Sequence, residues 1–164
     1  MSDVSDIDDD TDVAELMQLH AMKDRRLRTL IGDRFRPGAL HEKDERPAVW
    51  YETTQSDPNH DLEGASGSAQ SRVRFGCCGN SQREAKAVAK IIRDLFDGFT
   101  GYIDDAETVE ISDCILDNKW DTREKPTAGS AKWAFTRNVD FIVTHSEPVP
   151  SLTVVPEDEP FEEE

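Results

Sequence analysis

The sequence predicts an α+β fold: a largely antiparallel four-stranded sheet with two main helices packed on one face, flanked by acidic, disordered termini. Three observations lead to it. Residues 12–31 and 82–97 carry apolar side chains at helical spacing. Four other segments, near 48–54, 71–78, 108–120 and 133–145, have the alternation or the β-branched and aromatic content of strands. The acids crowd at the ends, with six acids and no base in residues 1–12 and seven acids and no base in residues 147–164. With 164 residues there is room for one core, so the chain divides into an acidic tail (1–11), one α+β domain (12–146) and a second acidic tail (147–164). Runs of strands between helices, without strict βαβ alternation, favour antiparallel pairing over a parallel sheet.

The first helix is expected over residues 12–31. Asp12 and Glu15 have the spacing of a capping box, Val13, Leu16, Met17, His20, Leu27, Leu30 and Ile31 form an apolar face, and Gly32 ends it. Lys23, Arg25, Arg26 and Arg28 lie opposite and read as a solvated basic face. Pro37-Gly38 marks a turn, after which Pro47 opens the strand Ala48–Thr54. Residues 56–70 are rich in Ser, Gly, Asp and Asn, lack periodicity, and read as a long loop, of a length that is usually either functional or disordered. From Ser71 to Cys78 the chain alternates, Val73, Phe75 and Cys77 on one side and Arg72, Arg74 and Cys78 on the other.

Ser81 and Glu84 set a second capping box, and Ala85, Val88, Ala89, Ile92, Leu95 and Phe96 make the stripe of a helix that Gly98 terminates. The last two strands carry Val109, Ile111 and Ile115, then Trp133, Phe135, Val139, Phe141 and Val143; Lys125–Ser130 between them has hairpin-tip composition. Pro148, Pro150 and Pro156 break regular structure beyond.

The net charge of −16 comes mostly from the two ends, leaving residues 13–146 nearly balanced. Such tails repel themselves and resist collapse; solubility, docking to a basic neighbour and adaptation to a salty cytoplasm are all compatible with them. A basic nucleic-acid-binding face is therefore not expected of the domain. The acidic N-terminus lacks the basic-then-apolar start of a signal peptide, and no apolar run approaches the roughly 20 residues that cross a bilayer. The expectation is a soluble chain made in a cytoplasm, with no membrane partner.

Catalytic and cofactor chemistry finds little footing. No phosphate-binding glycine loop, dinucleotide fingerprint or nucleophile elbow is present. Cys77 and Cys78 point to opposite faces of a strand, Cys114 is distant, and His20, His41, His60 and His145 share no ligand spacing with them, so no metal site is expected. His60-Asp61 has no nucleophile tied to it, and Asp104-Asp105, Asp117 and Asp121 lack the oxygen-ligand spacing of a calcium loop. The reading is a non-enzyme without cofactor.

Ile31-Gly32-Asp33-Arg34-Phe35, Pro37-Gly38, Arg46-Pro47-Ala48-Val49-Trp50-Tyr51, His60-Asp61-Leu62-Glu63-Gly64, Ala65-Ser66-Gly67, the strand Ser71–Cys77, and a helix with Arg83-Glu84-Ala85 and Ala87-Val88-Ala89 ending at Phe96-Asp97-Gly98-Phe99 occur in this order. The combination resembles the tail-completion (tail-terminator) proteins of long-tailed bacteriophages, a family also found in gene transfer agents and similar to lambda-type tail terminators. It covers residues 28–100, and residues 100–146 only in strand layout; both acidic tails and the Cys77-Cys78 pair depart from it.

The resemblance implies a structural virion subunit, a homo-oligomer (a six-fold ring) at the head-proximal end of the tail. Its partners would be the tail tube protein and the head–tail connector protein, with genomic DNA passing through the lumen without specific binding. The loop is the expected partner contact, through Asp57, Asn59, His60, Asp61, Leu62 and Glu63. The alternatives are another head–tail connector or minor tail protein, or an acidic module that mimics nucleic acid.

Overall fold

A computed structural model of the chain describes residues 12–61, 64–124 and 133–147. Its elements run α1 (Val13–Ala21), α2 (Arg25–Ile31), β1 (Phe35–Pro37), β2 (Ala48–Asp61), β3 (Gly64–Gly79), α3 (Gln82–Phe96), β4 (Gly101–Tyr102), β5 (Glu110–Glu124) and β6 (Ala134–Ser146). The strands form one six-stranded sheet in the order β1-β2-β3-β6-β5-β4, curled into a half-barrel. It is mixed, because β1 pairs with β2 in parallel while the other neighbours are antiparallel.

This corrects the expected four-stranded antiparallel sheet with two main helices. Among the described residues strands dominate, and there are three helices. The single helix expected over 12–31 is two, because Asp24 is extended (φ −78°, ψ 124°) and its carboxylate accepts from the Leu27 amide at 3.1 Å. A cap side chain inside a periodic apolar pattern starts a new helix at little cost, and periodicity alone does not show it. The two extra strands, β1 and β4, are three and two residues long, too short to show alternation. Phe35 marks β1 only because it is buried against Tyr51 and Phe75.

The expected loop at 56–70 is also corrected. It is the outer half of a long β2–β3 hairpin, with Asp57 opposite Gln70, Pro58 opposite Ala69, His60 opposite Ala65 and Asp61 opposite Gly64. Polar side chains tie its two strands together: Ser56 to Ser71 at 3.1 Å, Asn59 Nδ2 to Ser68 Oγ at 3.0 Å, and Ser66 Oγ to the Asn59 carbonyl at 2.9 Å. Bulges between Thr53 and Gln55 and between Pro58 and His60 break the side-chain alternation. A polar, bulged ribbon has no apolar period for a sequence reading to find.

All three helices cover the same face of the sheet. Val13, Met17, Leu27 and Ile31 from α1 and α2, and Val88, Ile92 and Phe96 from α3, join Val49, Val73, Phe75, Phe141 and Val143 in one buried cluster. Ser81 caps α3 by accepting from the Glu84 amide at 3.1 Å. The return bond of the expected box goes one residue further back, from the Asn80 amide to Glu84 Oε1 at 3.0 Å. Gly79, the last residue of β3, lets α3 turn back at once: a Cβ there would lie 2.6 Å from the Ala85 nitrogen. Asp12 caps α1 through the Ala14 amide; the hairpin tip expected at 125–130 and the acidic tails lie outside the described residues, apart from Glu147, whose amide bonds to the Gly67 carbonyl.

Candidate interaction surface

With the helices on one side, the other face of the four long strands is left uncovered among the described residues, and the register writes its rows directly. One row runs Glu52, Arg74, Asp140, Asn118; the next runs Trp50, Gly76, Asn138, Trp120. The alternation that buries Phe75 necessarily sends Arg74 here.

The cations on this face are paired within it. Arg74 makes a two-pronged bond to Asp140, Nε to Oδ1 at 2.9 Å and Nη2 to Oδ2 at 3.2 Å. Its guanidinium lies 4.8 Å from the centre of the Trp120 ring, and Glu52 approaches it at 3.7 Å. Arg72 pairs with Asp117 and lies 3.9 Å from the far oxygen of Asp140. The Asp140 side chain is only 4% exposed, so this carboxylate sits within the sheet surface with arginines along it. The paired carboxylate favours the charged guanidinium and raises the pKa of Arg74. Beside this network the Trp50 indole lies flat over Gly76, where a Cβ would be 2.0 Å from the ring. The result is a polar surface in which both arginines are paired, two cations against three carboxylates, with two indoles set into it.

The predicted contact residues sit elsewhere, on the β2–β3 hairpin. Asp57, Asn59 and His60 lie in β2 on its exposed outer part, and Asp61 ends that strand. Leu62 and Glu63 lie outside the described residues. The hairpin brings His60 near no nucleophile in any described bond. The other carboxylates weighed from the sequence have structural roles: Asp104 accepts from the Thr108 and Val109 amides and the Thr108 hydroxyl, Asp105 pairs with Lys23, and Asp121 with Arg137.

Cys77, Cys78 and Cys114 are free thiols, all buried, and burial pushes Cys114 up to about 12. Cys77 lies on the helix-covered face, whereas Cys78 contacts the Thr136 hydroxyl at 3.3 Å on the open one. Among the described residues, no three His, Cys, Asp or Glu side chains gather as a metal would require. No helix there is long and apolar enough to cross a membrane. A cleft of about 180 Å³ lies where α3 begins, lined by Gln82, Ala85, Asp121, Arg123 and Phe135; ligand pockets typically start near ~300 Å³.

One polar pair was not foreseen. Ser71 Oγ and His145 Nε2 are 2.8 Å apart and buried, and Nδ1 of His145 is 2.9 Å from the Ser146 carbonyl. If Nδ1 donates to that carbonyl, Nε2 accepts the serine proton, which is the donor pattern of a nucleophile and base. Among the described residues no acid orients the ring, and Ser71 is 2% exposed, with the Ser56 hydroxyl against its own. The pair therefore reads as a satisfied core hydrogen bond. The two residues are 74 apart in sequence, and no local signal links them.

No family model matches the sequence, and none of the curated proteins matches it. Among solved structures, a chain of the virion of a native gene transfer agent particle has a similar fold, with TM-score 0.58 and 14% identity over 82% of this chain and 95% of that chain.

Proposed function

We propose that this chain is a structural subunit of a virus-type particle, and within it the tail-completion subunit, a ring at the head-proximal end of the tail tube that joins it to the head connector. The observation that carries the reading is the shared fold: the likeness spans nearly the whole of a chain from a gene transfer agent virion. The sequence resemblance points to the same class of particle. In this reading the protein works by assembly and has no catalytic role.

The sheet supports a ring in two ways. Its long strands alternate in direction, β2, β3, β6, β5. The short edge strands cover little of them: β1 pairs only with Val49–Tyr51 and β4 only with Glu110 and Ile111. Much of β2 and β5 is thus left with an open backbone edge among the described residues, and such edges seek partners. Placing β5 of one copy beside β2 of the next continues the alternation, giving a head-to-tail contact that can close by rotation. In such a ring the open face, with its arginines paired to carboxylates, lines the lumen. Paired arginines there offer passing DNA few free cations, so phosphates slide without being held.

The β2–β3 hairpin, through Asp57, Asn59, His60, Asp61, Leu62 and Glu63, is the proposed contact with the neighbouring ring or connector. Replacing Asp57–Gln70 with a two-residue Asn-Gly turn closes the hairpin between Ser56 and Ser71, which already face each other. The variant should fold, and its particles should accumulate as separate heads and tails or as tails of uncontrolled length. Normal infectious particles from it would remove the hairpin from the proposal. Imaging of intact particles tests the rest: absence from the head–tail junction, or a single copy there, overturns the ring.

A further inference from the structure

Although the chain carries a net charge of −16, the outward side of its helix layer is basic. On α3, Arg83, Lys86, Lys90 and Arg93 are all exposed and follow one another at spacings of three, four and three, which places them on one stripe. Arg25 and Arg28 of the neighbouring α2 are exposed too. Arg93 is paired with Asp97 at 3.6 Å. Arg83, Lys86 and Lys90 have no ion pair within 4 Å among the described residues, whereas the arginines of the open sheet face all do. Three unneutralised cations on one helix face stand out in a chain with this excess of acids.

We propose that the acidic C-terminal segment, residues 157–164, docks along this stripe of its own chain and covers it. Charge complementarity is the first argument. The segment reads Glu-Asp-Glu-Pro-Phe-Glu-Glu-Glu, six acids in eight residues with no base. Reach is the second. The described chain ends at Glu147, next to Gly67, and the C-terminal end of α3 lies close by: Gly98 bonds to Cys114, which pairs with Val143 of β6. Nine residues separate Glu147 from Glu157, enough to span about 30 Å when extended. The stripe is only about 15 Å long, from the rise of a helix. A tethered segment also meets its site at a high effective concentration, on the order of millimolar, so individually weak surface pairs suffice. The consequence is a shield: this basic stripe is withheld from nucleic acid while the subunit is unassembled.

Retention of the full-length chain on heparin at low salt tests this. Changing Glu157, Asp158, Glu159, Glu162 and Glu163 to their amides should convert a chain that flows through into one that is retained. Changing Asp3, Asp6, Asp8, Asp9 and Asp10 to Asn alters the net charge equally and should leave it flowing through. Adding Lys86→Glu and Lys90→Glu to the C-terminal variant should abolish retention, and both positions are exposed, so an unchanged melting temperature confirms an intact fold. The proposal is overturned if the C-terminal variant flows through, if the N-terminal variant is retained as strongly, or if retention survives the two lysine changes. Retention of the wild type would likewise mean that the stripe is not covered.

Discussion

Phe75 and Arg74 are adjacent in one strand, and their surroundings differ in kind. Phe75 is fully buried, stacked on Phe96 at 5.7 Å with an interplanar angle of 4°, and met edge-on by Phe35 and Phe141. Arg74 is 30% exposed and held by Asp140, Glu52 and the Trp120 ring. The covered face is fixed by shape, with no polar alternative for any member of the aromatic group. The open face is fixed by directional bonds between groups that water could also satisfy. A surface of the second kind can be rearranged by a partner at modest cost, which is what an assembling subunit needs of one face and cannot tolerate in the other.

The comparison is tested first where the effect should be largest. Phe75→Ala removes the ring that three others pack on, and should destabilise the fold by about 3–5 kcal/mol in urea unfolding. Asp140→Ala on the open face should cost less, about 1–3 kcal/mol, because Arg74 keeps Glu52, Trp120 and access to water. Replacing both partners, Arg74→Met with Asp140→Leu, should regain part of that loss, since neither charge is left alone. An Asp140→Ala loss equal to that of Phe75→Ala would show that the two faces are not held differently.

The covered face was the legible one. Val73, Phe75 and Cys77 announce it by alternation, and Ala85 to Phe96 announce the helix that lies on it, because burial on one side imposes a period. The open face hides the same alternation behind polar residues. Arg74 and Asp140 are 66 residues apart, and nothing local says that they meet, or that Asp140 is buried at all. The hairpin at 56–70 failed for a related reason: its strands are held by Ser and Asn pairs and by register with the core, so composition read it as a loop. Asp24 was legible as a cap residue only after the break it creates was known. With these residues in a hairpin, the proposed contact rests on the exposed outer part of its strands.

The smallest expected effect lies at the rim, where the covered face turns polar. Beyond Cys77 the row continues through Arg137 to Asp121, next to the start of α3. The Arg137 hydrogen bond, 2.5 Å from Nε to Oδ1, holds the Asp121 carboxyl below the usual carboxylate range, with the guanidinium charge and Gln82 adding to it against some desolvation. A carboxyl depressed on folding contributes stability above its unfolded pKa and loses it as pH falls through the folded value. Asp121 is 36% exposed on its side chain, so solvent screening keeps the contribution to about 1 kcal/mol or less. Asp121→Asn keeps the shape and removes the charge. At pH 7 the variant should be less stable than wild type by that amount, and the gap should close as pH falls below the carboxylate range, where both side chains are neutral. Because the pair is exposed, the gap at pH 7 should also shrink in high salt. A gap that persists unchanged in acid and in salt would mean that the pair acts through fixed geometry, as the Phe75 cluster does, and that the rim belongs with the packed interior.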